Sequence, residues 1–207
     1  MRTRMLALTT ALICLTCAAA AYAVTRTGTN GSDTIFGTTS SDTLNARGGT
    51  DIAFGLSGND TISGGGGDDT IHGDATCPTA PRDVEDCNQL RGSGRDNIRG
   101  NAGDDVIAGG NGDDKISGGT GVDNIQGGNG RDTINAGSGS DVVAGLAGND
   151  RITGGSGRDT LSGGGGNDTV FARDSDRDRV DCSTGNDRAV VDRRDAVNRN
   201  CERVSRR

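Results

Sequence analysis

The chain has 207 residues, of which 37 are Gly, three Phe, one Tyr and none Trp, with a formal net charge of −7. So little bulky apolar material excludes an ordinary globular core, and the acidic balance argues against nucleic acid as a partner, because a phosphate backbone needs a basic face. The chain is about one domain long, and ordering so glycine-rich a backbone is costly, so part of its stability must come from outside the chain.

In chain order, the first element is a targeting segment. Arg2 and Arg4 precede an apolar run from Met5 to about Cys17, and Ala21-Tyr22-Ala23 offers a small-x-small cleavage site. Residues 1–23 therefore read as a signal peptide, and no membrane span is expected after its removal. The mature chain is expected outside the cell, secreted or associated with the cell surface. Cys14 and Cys17 would leave with the signal, as would Arg2 and Arg4, which takes the formal charge from −7 to −9.

Two blocks of a nine-residue unit, G-G-x-G-x-D-x-U-x with U apolar, follow at residues 28–72 and 91–171, fourteen copies in all. Gly109-Gly110-Asn111-Gly112-Asp113-Asp114-Lys115-Ile116-Ser117 is a complete copy. The sixth position is Asp each time: Asp33, Asp42, Asp51, Asp60, Asp69, Asp96, Asp105, Asp114, Asp123, Asp132, Asp141, Asp150, Asp159 and Asp168. The x-D-x-U-x half alternates with period two and predicts a short strand with U inward. The G-G-x-G-x-D half predicts a tight turn, since glycine permits positive φ and close backbone approach. Such a turn can aim carbonyl oxygens inward beside the carboxylate. An all-oxygen donor set suits a hard cation such as Ca²⁺, whereas Zn²⁺ would want Cys or His, and His72 is the only histidine.

These units resemble the hemolysin-type (RTX) calcium-binding nonapeptide repeats. The resemblance implies an all-β fold, a right-handed parallel β-roll with two units per coil, hence about seven coils. It also implies ions held between a turn and the turn two units later by the sixth-position Asp and turn carbonyls. All fourteen Asp residues named above then become metal ligands. Asp105 and Asp123 would share one row, with Asp114 and Asp132 in the opposite row. Blocks of five and nine units would hold about ten Ca²⁺ ions. The first three units are worn: Thr29, Thr38 and Arg47 replace the second Gly and Ser40 the fourth. Asp33, Asp42 and Asp51 are accordingly the weakest ligands, and this end is expected to act as a cap.

Residues 73–90 interrupt the repeats with Pro78, Pro81, Cys77 and Cys87. Their 18 residues match two units, which leaves open a degenerate coil or a protruding loop. In an oxidising compartment Cys77 and Cys87 are expected to pair. In residues 172–207 charge replaces glycine, with Cys182 and Cys201 as the remaining pair. They are expected to staple a C-terminal cap, which a solenoid needs over its last coil. Asp178-Arg179-Val180-Asp181-Cys182 and Gly185-Asn186-Asp187 look like decayed units, and Arg203, Arg206 and Arg207 read as a solvated, disordered end. Asp174-Ser175-Asp176-Arg177-Asp178 is not an EF-hand loop, because Arg179 and Gly185 occupy its obligatory Gly and Glu positions.

No catalytic constellation is visible. His72 ends its unit and reads as a surface residue, and no nucleophile elbow or phosphate loop is present. The expected function is that of a secreted, non-enzymatic protein that folds on binding extracellular Ca²⁺. Two alternatives remain open: a structural or adhesive cell-surface protein using the stiffened roll as spacer or ligand face, and an accessory subunit or inhibitor acting through the 73–90 loop. For the first, ice or carbohydrate binding would favour a regular outward row, but the third-position residues Asn30, Thr39, Gly48, Ser57 and Gly66 form no Thr ladder.

Overall fold

The structure is a computed structural model that describes residues 22–74 and 93–206. The expected signal segment through residue 21, and Cys77 with Cys87, lie outside the described residues. The described chain has nineteen strands and no helix. In the first block they are β1 (Thr25–Thr27), β2 (Thr34–Phe36), β3 (Thr43–Gly48), β4 (Ile52–Phe54), β5 (Thr61–Gly66) and β6 (Thr70–His72). The second block contributes β7 (Asn97–Ala102), β8 (Val106–Asn111), β9 (Lys115–Thr120), β10 (Asn124–Asn129), β11 (Thr133–Ser138), β12 (Val142–Ala147), β13 (Arg151–Ser156), β14 (Thr160–Gly166) and β15 (Thr169–Ala172). The tail adds β16 (Arg179–Gly185), β17 (Arg188–Val191), β18 (Ala196–Val197) and β19 (Arg203–Arg206).

Odd-numbered strands form one ten-stranded sheet and even-numbered strands a nine-stranded sheet, every pairing parallel. The chain thus winds as a parallel β-solenoid of about nine coils, two units to a coil. The fourteen units account for seven of these, and the remainder come from the tail, which was expected to be only a cap.

Period-two alternation decides what lies inside. Along β9, Ile116 and Gly118 are buried while Lys115 and Thr120 are exposed. The U side chains, from Ile35 to Val170, form one continuous file between the sheets, extended by Val180, Ala189 and Val191. The longer strands, β3, β5 and β7 to β14, run from position seven at least through position three of the next unit, as Lys115–Thr120 shows, whereas β2, β4 and β6 stop at position nine. The glycine pair, expected in the turn, therefore belongs to the strand, and the turn is only positions four to six. Parallel pairing on both sides outweighs the weak strand propensity of glycine.

Registers step by 18 residues along both sheets, as from Asn124 to Val142. Across the interruption they step by 36, from Thr61 to Asn97 and from Thr70 to Val106. The second block therefore stacks directly on the first. Gly73 and Asp74 keep coil positions on the near side, donating to the carbonyls of Ala108 and Gly109, and Gly94 donates to Asn111 on the far side. Gly73 and Asp74 thus stand at positions one and two of the unit whose sixth position is Asp96.

The tail keeps the same pattern with slipped spacing: 19 residues from Thr160 to Arg179, 17 from Arg179 to Ala196 and 15 from Arg188 to Arg203. A disulfide joins Cys182 to Cys201, as expected, and both sulfurs sit in the core file. Arg203 and Arg206, expected in a disordered end, instead lie in β19, paired with β17. His72 is likewise no free surface residue. It is half-buried in a column of rings, 5.1 Å from Phe54, which stands 5.1 Å from Phe36, and burial lowers its pKa.

Candidate metal sites along the turns

Each turn ends in an Asp whose side chain points into the solenoid. All fourteen sixth-position residues are buried, from Asp33 and Asp42 in the first coil, through Asp51, Asp60, Asp69, Asp96, Asp105, Asp114, Asp123, Asp132, Asp141 and Asp150, to Asp159 and Asp168. They stand in two rows. The backbone N–H of Asp105 donates to Asp123 Oδ1 at 2.9 Å, and that of Asp114 donates to Asp132 Oδ1 at 2.9 Å. The same bond recurs along both rows and crosses the interruption, from Asp60 N–H to Asp96 and from Asp69 N–H to Asp105. From Asp42 onward, one oxygen of each carboxylate is thereby fixed by the preceding coil.

The second oxygen is the informative one. From Asp51 to Asp168, twelve sixth-position residues have Oδ2 buried with no hydrogen-bond partner. A buried charged oxygen without a partner is strongly unfavourable, and natural proteins rarely tolerate it. A column of them calls for a cation.

The first two units differ. Thr29 N–H donates to Asp33 Oδ2 at 2.5 Å, with the Thr29 hydroxyl at 2.9 Å. Thr38 does the same for Asp42 through its N–H and hydroxyl. Replacing the second glycine by Thr therefore satisfies the carboxylate internally. Asp51, expected to be as weak as these two, has a free Oδ2 like the later residues.

Backbone oxygens complete the setting. At the fourth position glycine takes positive φ, for example 127° at Gly112 and 131° at Gly130. A Cβ on Gly130 would fall on the carbonyl oxygen of Gly112, one coil earlier. Turns thus stack with carbonyl oxygens in backbone contact. The first-position glycine brings the strand close over the carboxylate: a Cβ on Gly109 would stand 2.5 Å from Asp114 Oδ2 and 2.5 Å from the Gly127 carbonyl oxygen. Ala46 and Ala136 show that a methyl group is nevertheless accommodated at this position.

Desolvation raises the carboxyl pKa values of the sixth-position residues from Asp51 to Asp168. Asp96 is pushed up to about 8, and Asp60, Asp105 and Asp132 to about 7. Asp69, Asp123, Asp159 and Asp168 rise to about 6. In each case burial is the main cause, the backbone hydrogen bond opposes it, and the row neighbours' negative charges add to it.

In the tail, where the sequence shows decayed units, no ligand was expected. Asp178 and Asp187 extend the two rows, accepting from Asp159 and Asp168 N–H at 2.9 and 2.7 Å, and each has a buried Oδ2 with no partner. The signal was present: Cys182 to Val190 is a full nine-residue unit with Cys at position one. Asp74, at the second position of the split turn, adds a buried Oδ1 without a partner. Fifth-position side chains form an outer ladder. Asn149 and Asn167 Oδ1 accept the N–H of Asn167 and Asn186, and Asp113 lies 3.5 Å from both Arg95 and Arg131.

Among the described residues, no three His, Cys, Asp or Glu side chains converge on one point. A cation here would be held by one carboxylate per turn together with turn carbonyls, an all-oxygen environment suited to Ca²⁺. The fold and site thus define a parallel β-roll with carboxylate-lined turns, of the kind that stacks metal ions between coils. A model of the RTX calcium-binding nonapeptide repeat matches residues 27–62, 46–75, 91–125, 117–152, 145–176 and 153–189. The chain belongs to this family of calcium-binding repeat proteins. No match was found among curated proteins.

Proposed function

We propose that this is a secreted, non-enzymatic protein whose β-roll folds on binding extracellular Ca²⁺. The observation that carries this reading is the double column of buried Oδ2 atoms without partners. Without a cation, those carboxylates repel along each row or must bind protons. With one, each turn gains a bridge to the next coil. Low Ca²⁺ inside the cell would then leave the chain unfolded for export through its signal segment, and Ca²⁺ outside would complete it.

The ligands are proposed to be the sixth-position residues from Asp51 to Asp168, each with turn carbonyls of its own and a neighbouring coil. Asp33 and Asp42, already bonded to Thr29 and Thr38, form the N-terminal cap. Because the rows run through the interruption, the fourteen units act as one stack. Two ions fewer than units then gives about twelve ions in place of about ten, and Asp178 with Asp187 would add to that number.

Circular dichroism with calorimetric Ca²⁺ titration tests the proposal. The β signal should appear on adding Ca²⁺ and vanish in chelator, with roughly one ion per turn. A full β spectrum in excess chelator at neutral pH would remove the folding role.

A further inference from the structure

The acidity of the chain is internal. The described residues include 17 Lys and Arg against 26 Asp and Glu. Seventeen of those acids are buried inside the solenoid. Nine acidic residues are left toward solvent against 17 basic ones, so the outer shell carries an excess of eight positive charges. The net charge of the sequence therefore has the opposite sign to that of the surface formed by the described residues.

The excess is concentrated on one sheet. Arg99, Lys115, Arg151, Arg188 and Arg203 all point outward from the ten-stranded sheet, on β7, β9, β13, β17 and β19, and all are exposed. Among the described residues none of the five is ion-paired, and no carboxylate stands at positions seven or nine of this sheet. With neighbouring strands about 4.8 Å apart, the five cations form a stripe roughly 29 Å long. Asn97, Ser117, Thr133, Asn135 and Thr153 lie between them and offer hydrogen bonds. The opposite sheet differs: its seventh positions include Ile52, Val106 and Val142, with Arg179 its one cation at positions seven and nine.

We infer that the outer face of the ten-stranded sheet is a binding surface for an anionic polysaccharide, exposed in working form by Ca²⁺. This rests on the calcium-folding proposal above. Ordered strands set the spacing of the cations, and Ca²⁺ neutralises the internal carboxylates whose field would otherwise repel an anionic chain. The stripe suits an extended polymer with regularly spaced charged groups and many hydroxyls. It offers no stacking platform for bases, because Phe171, the one ring on the stripe, is covered by the Arg151 guanidinium at 4.1 Å.

The test uses the full secreted chain with three probes: dextran sulfate, uncharged dextran and a single-stranded oligo(dT). Affinity is measured by calorimetry in saturating Ca²⁺ and in chelator, with circular dichroism on the same samples. Binding of dextran sulfate in Ca²⁺ and not in chelator is expected, with no binding of dextran. Changing Lys115, Arg151 and Arg188 together to Thr, the residue found at Thr61, Thr133 and Thr169 on the same face, should weaken binding at least about tenfold and flatten its salt dependence. Changing Arg158 and Arg177, which lie off the stripe, to Ser should leave binding within about twofold.

Equal losses in both variants, or oligo(dT) binding as tightly as dextran sulfate, would overturn the inference. So would a roll that folds with Ca²⁺ but ignores dextran sulfate, which leaves the calcium reading standing. A chain that fails to fold with Ca²⁺ would defeat the calcium reading itself and this inference with it.

Discussion

At the scale of single residues, the two oxygens of one carboxylate have different partners, and this makes the turns distinguishable. Asp→Asn keeps the Oδ1 acceptor but replaces the oxygen that has no partner. Asp114→Asn is expected to lower ion stoichiometry in a calorimetric titration and to raise the Ca²⁺ midpoint for folding several-fold. Asp33→Asn should leave stoichiometry unchanged, because Thr29 already occupies its Oδ2. Equal effects at the two sites would refute the proposed ligand set. The second position allows another test. Arg47, Leu56, Asn101 and Leu146 take φ values between 78° and 85° where other units have glycine. Left-handed backbone at a side-chain-bearing residue costs about 1–2 kcal/mol, part of which glycine returns as unfolded-state entropy. Leu146 is largely exposed, so Leu146→Gly should stabilise the Ca²⁺-loaded protein by about 0.5–1 kcal/mol in thermal or denaturant unfolding.

At the scale of the element, the nonapeptide was read correctly in its rhythm and only partly in its boundaries. The fixed phase of U was enough to expect an inward file, whereas the two rows of Asp came from the resemblance to the RTX repeats. The glycine pair misled, because glycine signals a turn locally while two parallel neighbours hold it in a strand, as at Gly118-Gly119 of β9. The split turn was hidden because residues on either side of the break share one coil: Gly73 stands over Asp96, where a Cβ would meet both its carboxylate and the Gly109 carbonyl. The tail coils were obscured by Cys182 in a glycine position and by one extra residue before Asp178. The last of those coils is held by short strands, β18 having only two residues and β19 four, and by the Cys182–Cys201 bond. Closing a loop of about this size contributes up to roughly 3 kcal/mol. Changing both cysteines to Ala should therefore increase amide exchange first from residue 172 onward and raise the Ca²⁺ midpoint. Unaltered exchange in that region would show that the disulfide is not what holds the cap.

At the scale of the whole molecule, proton and calcium compete for one set of oxygens. Eight row carboxylates, Asp60, Asp69, Asp96, Asp105, Asp123, Asp132, Asp159 and Asp168, have folded pKa values raised to about 6–8, against about 3.9 in an unfolded chain. Between those values the folded apo roll binds more protons than the unfolded chain, so its stability falls as pH rises. The contribution is fully present below about pH 4 and is lost through about pH 6–8. Calcium acts in the opposite direction, since a carboxylate must lose its proton to bind the ion. In excess chelator, acidification from pH 8 to about 4 should thus restore β structure by circular dichroism, reversibly. With Ca²⁺ present the roll should already be folded at pH 8, and the Ca²⁺ concentration needed should rise as pH falls below about 7. The two titrations share a cause, because a proton or a calcium ion relieves the same repulsion along the rows. If acid failed to restore any β structure in chelator, repulsion among these carboxylates would not be what keeps the calcium-free chain unfolded.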